Sequence, residues 1–275
     1  MKKIPSNILK TFFIFFLFFL VKIESYEINQ IKPLDISYDQ AQNIGKKIWY
    51  NECKHRIDQL TFWNENEPFP SIGIGHFIWP PKVYEGIFKE GRFHKVIEFM
   101  DKNNIKFPKW LLNEKFCSWS TREEFYLEFN SVKMKELRSF LIESVPYQAL
   151  YMAERLNEAF SEIVLSLPSE KRKGVINQFF RVARTLNGPY ILIDYLNFKH
   201  EGTNSKERYY NQGWGLKQVL EAMANVDIVP DASPEKIFAK TAKLLLQRRI
   251  LNSPNPKQME QWLPIWNERL RTYYR

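Results

Sequence analysis

Apolar residues recur at helical spacing through most of the chain. Ala41, Ile44 and Ile48 mark the first such face, and Ser37 followed by Gln40 makes a capping box ahead of it. The pattern predicts a helix from about Tyr38 to Cys53. Between Leu60 and Trp79 the period falls to two, which predicts a β-hairpin, stopped by Pro80-Pro81. Helical spacing returns from about Phe93 to Asn103, with bends at Gly86 and Gly91. Pro108, Trp110 and Trp119 then fall in a loop-rich connection. Ser120-Thr121-Arg122-Glu123 reads as a second capping box, opening a helix to about Glu143. Pro146 opens another, periodic in Leu150, Ala153, Leu156, Phe160 and Ile163 and closed before Pro168. Ser169 caps a further helix to about Leu186, broken at Asn187-Gly188. In the C-terminal third, Ser233-Pro234-Glu235 is a cap with Pro at the first helical position. Trp262, Trp266, Leu270, Tyr273 and Tyr274 tie down the tail, and structure rather than chemistry is expected there. The fold class is α+β, mostly α-helical, with one β-hairpin near the N-terminus.

The N-terminus departs from this pattern. Lys2, Lys3 and Lys10 precede an apolar run from Phe12 to Val21, which has the layout of a signal peptide and is too short for a comfortable membrane span. Residues 1–25 are read as that signal and 26–275 as a single domain. The expected location is periplasmic or extracellular, with retention by an N-terminal anchor the lesser reading. Residues 1–25 carry four lysines and one glutamate, so the remainder keeps +6 of the formal +9. A moderately basic exported protein suits an anionic polymer. With no dense Arg/Lys block and no zinc or RNA-binding motif, nucleic acid is not an expected partner. The histidines His55, His76, His94 and His200 form no metal-ligand spacing, so neither metal nor cofactor is expected.

Candidate chemistry gathers between Trp49 and Trp79. Glu52 follows Ile48 by four and so falls on the apolar face at the helix end. Desolvation there favours the protonated carboxyl that a general acid requires, against the plainer reading of a glutamate at a frayed end. Downstream, Ser71, Gly73 and Gly75 are expected on one strand face. Glycines weaken a strand, and the reason is either close approach of a ligand or a tight bend.

Together, Glu52 and Ser71-Ile72-Gly73-Ile74-Gly75-His76 resemble the catalytic glutamate and following hairpin of phage-type lysozymes, which carry Thr-x-Gly-x-Gly-His at the matching place. The resemblance covers roughly residues 38–79. It implies a lysozyme-like fold, with Glu52 as the acid, Ser71 in place of the threonine, and Gly73, Gly75 and His76 in the hairpin. The family's intervening Asp is missing, and the segment between Glu52 and Ser71 is longer by four residues. Glu67, at the start of the return strand, is the favoured second carboxyl, with Glu65 and Asp58 as fallbacks.

The stretch from Leu192 to Gln218 is rich in groups that hydrogen-bond sugars. Asn197, Lys199, Glu201, Arg208, Trp214 and Gln218 are candidates for the opposite cleft wall, and Glu201 is a further candidate second carboxyl. Gly215-Leu216-Lys217-Gln218 also resembles a cleft segment of lytic transglycosylases and goose-type lysozymes. Cys53 and Cys117 either pair, closing a loop worth roughly 4 kcal/mol, or remain buried thiols. The expected function is a monomeric muramidase-type glycosidase on peptidoglycan or a related polysaccharide, with no membrane partner once the signal is removed. A lytic transglycosylase and a non-catalytic wall-binding protein are the alternatives.

Overall fold

A computed structural model describes residues 32–88, 92–225 and 232–275. The signal peptide read at residues 1–25 and the bend at Gly91 lie outside the described residues. Among the described residues, no helix is long and apolar enough to cross a membrane.

The chain is mostly helical, with one small antiparallel sheet. Helix α1 spans Tyr38–Cys53, and its capping box is formed: the Ser37 hydroxyl accepts from the Gln40 N–H while the Gln40 side chain accepts from the Ser37 N–H. Strands β1 (Thr61–Phe62), β2 (Ser71–Ile72) and β3 (Phe77–Ile78) follow in spatial order β1-β2-β3. Then come α2 (Arg92–Lys102), α3 (Arg122–Leu127), α4 (Val132–Glu143), α5 (Val145–Leu165), α6 (Ser169–Ala183), α7 (Gly188–Lys199), α8 (Leu216–Ala224), α9 (Pro234–Leu251), α10 (Pro256–Glu260) and α11 (Leu263–Arg271). Buried apolar residues from Leu34 to Tyr273 form one continuous core.

Three elements differ from expectation. The helix expected to run unbroken to Glu143 is split into α3 and α4, because the Ser131 hydroxyl accepts from the Met134 N–H and restarts the chain with a new cap. Gly188 does not merely end a helix; it begins α7. That helix is buried on all sides from Tyr190 to Leu196, so it lacks the one-sided stripe by which helices are recognised in sequence. The hairpin is a three-stranded sheet of two-residue strands. Thr61 pairs with Ile72, and Ser71 with Ile78, while residues 73–76 form the tight turn between β2 and β3. Gly73 and Gly75 therefore do not extend a strand face with Ser71.

A single buried side chain anchors that turn to the helical body. Gln148 of α5 is fully buried. Its Oε1 accepts from the Ile74 N–H at 2.9 Å, and its Nε2 donates to the Leu141 carbonyl at 2.7 Å and the Ser144 hydroxyl at 3.1 Å. Gly73, at φ +76, makes room for this amide: a Cβ there would lie 2.3 Å from Gln148 Oε1. Gln148→Leu strands the Ile74 N–H in the core and is expected to lower the unfolding free energy in urea by about 2–3 kcal/mol. A loss below about 0.5 kcal/mol would show that the turn does not depend on this amide.

Candidate active site

Helix α1 lies along α5, where Gly45 allows close approach: a Cβ there would lie 2.7 Å from Val145 Cγ1. Ala41, Ile44 and Ile48 are buried on this face. The helix stops directly after Glu52 and Cys53, because Lys54 turns left-handed at φ 50 and donates its N–H to the Tyr50 carbonyl. Glu52 is thus presented at a fixed helix end, with 16 % of its side chain open to solvent.

The carboxylate enters a network that joins distant parts of the chain. Arg269 of α11 donates from Nη2 to Glu52 Oε1 at 2.7 Å and to Asp194 Oδ1 at 2.8 Å, and from Nε to Asp194 Oδ2 at 2.8 Å. Asp194 of α7 is fully buried. It also accepts from the Tyr273 hydroxyl at 2.7 Å and from Asn51 Nδ2 at 3.2 Å. A buried carboxylate without such donors would be strongly destabilising. Asn197, one turn beyond Asp194, donates to Glu52 Oε1 at 3.3 Å and to the Gly75 carbonyl at 3.1 Å. It thereby ties the helix end to the turn of the sheet.

That turn supplies the facing side. His76 sits in the left-handed region at φ 47, and its Nδ1 lies 3.6 Å from Glu52 Oε2. Glu67 is held in place by its backbone: its N–H donates to the Asn64 carbonyl, and its carbonyl accepts from Trp63 Nε1 at 2.8 Å. Its carboxyl is electrostatically coupled to the same His76.

The two carboxyls are driven in opposite directions. Burial pushes Glu52 up, but the charges of Arg269 and His76 and the hydrogen bonds from Arg269 and Asn197 outweigh it and hold the group below its ordinary value. Glu67 is raised by desolvation, against a smaller opposing pull from His76. At rest, therefore, Glu52 is an anion rather than the protonated acid expected from its apolar position. The ion pair with Arg269 was not legible there.

The other expected residues divide. Asn197 reaches Glu52 directly, and Lys199 lies beside the network, coupled to Glu52 and Arg269. Ser71 is half-buried at the start of β2. Gly73 and Gly75 are buried and corrected in role: protein occupies the space expected for a ligand. A Cβ on Gly75 would fall 2.8 Å from the Phe77 ring and 3.3 Å from Asn197 Oδ1. Glu201 pairs with Arg155 at 3.3 Å, and Arg208 donates to Asn211. Trp214 is buried, with its carbonyl accepting from Tyr195. Gln218 is used at both ends, accepting from the Gly215 N–H and donating to the Gly202 carbonyl. These four build the structure around α8 rather than a sugar-facing wall. Asp58 pairs with Arg56 at 2.6 Å, and Glu65 and Glu67 are both exposed in the loop before β2. Glu67 shares the influence of His76 with Glu52.

Of the two readings of the cysteines, the structure has the second: Cys53 and Cys117 are buried free thiols. Cys53 closes α1 near Trp49, Arg56 and Asp58, whereas Cys117 is set among Glu114, Trp119, Glu124 and Lys133, with its N–H on the Pro80 carbonyl. Burial pushes both thiols up to about 12, which leaves them protonated and unreactive. A groove of about 830 Å³ lies elsewhere, between Leu34 and Ile36 on one side and Leu150, Ala153 and Leu165 of α5 on the other. It contains no member of the Glu52 network.

No family model, curated protein or solved structure matches this chain.

Two outcomes follow from the network. Arg269→Met leaves the Asp194 carboxylate buried without its main partner and is expected to lower the unfolding free energy by about 3–5 kcal/mol. A loss below about 1 kcal/mol would mean that the pair behaves like a surface ion pair. The second outcome concerns acid. Because the folded protein depresses Glu52, the stabilisation is present above the unfolded carboxyl's value and is lost as pH falls through the folded one. Urea unfolding across an acid pH series should therefore show the wild-type advantage over Glu52→Gln shrinking on acidification. An advantage that grows would reverse the sign.

Proposed function

We propose that this protein is a lysozyme-like glycosidase that cuts the glycan strands of peptidoglycan, with Glu52 as its essential carboxyl. The observation that carries this reading is the setting of Glu52. It is fixed at a helix end, open to solvent on one side, and faces a turn whose His76 it shares with a second carboxyl, Glu67. Two carboxyl groups flanking one position are the minimum equipment for breaking a glycosidic bond. The resemblance of Glu52 and the Ser71–His76 segment to phage-type lysozymes points the same way, as does the basic balance of the chain toward an anionic polymer.

In this reading, Glu52 donates the proton to the bridging oxygen, and Glu67 directs water at the opposite face of the ring. Glu52 is ionised at rest, so the proton must be gained in the complex. A sugar seated on the site removes the remaining water from the carboxyl and strengthens the burial effect, already the largest influence on it. A second reading is favoured by the opposed directions of the two carboxyls. Where an environment separates two carboxyls, the one raised is the acid. Glu67 would then protonate the leaving group, and Glu52 would stabilise the positive sugar ring as an anion.

The test uses the purified protein, Glu52→Gln and Glu67→Gln with peptidoglycan, reading product masses. Wild-type turnover that falls by a factor of about 10² or more in Glu52→Gln is expected. A reducing-end product marks hydrolysis, and an anhydro product marks transglycosylation on the same site. An oligosaccharide with a dinitrophenyl leaving group needs no proton. If Glu52 is the acid, Glu52→Gln regains activity on that compound; if Glu67 is the acid, Glu67→Gln does. Absence of wild-type turnover on every glycan, with binding intact, would leave a wall-binding protein and overturn the enzyme reading.

A further inference from the structure

Beside Glu52 lies more positive charge than the carboxylate network uses. Lys199 ends α7, and its Nζ sits 3.7 Å from the centre of the Phe198 ring and 4.3 Å from that of Trp266. Arg269 lies 4.3 Å from the same Phe198 ring. Arg249 lies 4.1 Å from Trp214 and 5.5 Å from Trp266. Three cations and three aromatic rings thus alternate in one row: Trp214, Arg249, Trp266, Lys199, Phe198, Arg269. The row ends at Glu52.

Two of those cations are engaged. Arg269 holds Asp194 and Glu52, and Arg249 hydrogen-bonds Tyr209. The Lys199 ammonium has no hydrogen bond or ion pair with any described residue, and the residue is only 7 % exposed. Its tip meets the faces of Phe198 and Trp266, which leave its three N–H donors unused. Buried polar groups in native proteins are almost always satisfied. An ammonium set beside a carboxylate network with its donors unused is a ready contact for an anion.

We propose that Lys199 is the contact for an anionic substituent of the glycan, its ammonium pairing with a carboxylate carried beside the bond that Glu52 acts on. This rests on the glycosidase reading above. The aromatic rings steady the charged tip through their negative faces while leaving its N–H donors free for the ligand. Desolvation, then Arg249 and Arg269, lower the proton affinity of Lys199 well below that of an ordinary lysine, and only Glu52 opposes them. An arriving carboxylate opposes that balance and favours the charged form.

Calorimetry on Glu52→Gln protein, which binds without cutting, tests this with three probes of equal length. They are a neutral N-acetylglucosamine oligosaccharide, a peptide-free strand carrying lactyl carboxylates, and the same strand with its peptides. The expected result is a preference of about tenfold or more for an acidic probe. Preference for the peptide-free strand assigns the lactyl carboxylate; preference only for the peptide-bearing strand assigns a peptide carboxylate. On the same background, Lys199→Met and Lys199→Gln should both collapse the preference, and Lys199→Arg, which keeps the charge, should retain it. The Gln and Arg variants decide the matter if the Met variant fails to fold. Equal affinity for neutral and acidic probes, or a preference that survives in the uncharged variants, overturns the proposal while leaving the glycosidase reading standing. If no glycan binds, the glycosidase reading falls and this proposal falls with it.

Discussion

The buried pair of Asp194 and Arg269 is the constraint on which the site depends. Asp194 has no exposed surface, and Arg269 keeps 8 %. Removing two charges from water carries a large desolvation penalty, and attraction offsets it only when the remaining hydrogen-bonding capacity is used. Here it is used. Asp194 receives two N–H donors from Arg269, one from Asn51 and the hydroxyl of Tyr273. The arginine that neutralises Asp194 also reaches Glu52. Three helices far apart in sequence, α1, α7 and α11, are thereby held at one point. The charge state of Glu52 is a by-product of how the C-terminal helix is fastened.

The small sheet is fixed to the helical body by an independent device. Its strands are two residues long, too short to hold a geometry by themselves. Gln148 supplies the missing restraint from α5, and Gly73 is the residue whose lack of a side chain admits that amide. On the other side of the turn, Gly75 lets Asn197 approach its carbonyl, and Asn197 holds Glu52 with the same amide nitrogen. The glycines thus serve the site indirectly. They bring the turn, and with it His76, against the end of α1, and no ligand is needed to account for them.

Much of this frame was legible in the residues. The capping box at Ser37 and Gln40, the end of α1 beside Glu52, the position of the sheet and the cap at Ser233 are all as the local chemistry dictates. Short-range rules work there because the decisive contacts are three or four residues apart. What escaped was long-range. Arg269 lies 217 residues from Glu52 and stands in a stretch of Trp266, Leu270 and Tyr273 that reads as packing. The available signal was Asp194, a lone acid within the apolar run from Tyr190 to Leu196, which requires a buried donor somewhere. The role of Gln218 escaped for the opposite reason. Its place next to a Gly-x-Gly suggests a cleft, whereas its amide is consumed by Gly202 and Gly215 at the start of α8. Cys53 and Cys117 show that an even cysteine count does not specify proximity.

The central claim is that the Arg269–Asp194 pair keeps Glu52 ionised in the free protein while leaving it open to a ligand. The most direct measurement is the acid–base titration of the Glu52 side-chain carboxyl by 13C NMR, assigned by difference against Glu52→Gln. The network predicts a midpoint below the ordinary glutamate value of about 4.3 in the free protein, moving upward when an oligosaccharide fills the site. A midpoint at or above the ordinary value in the free protein would contradict it.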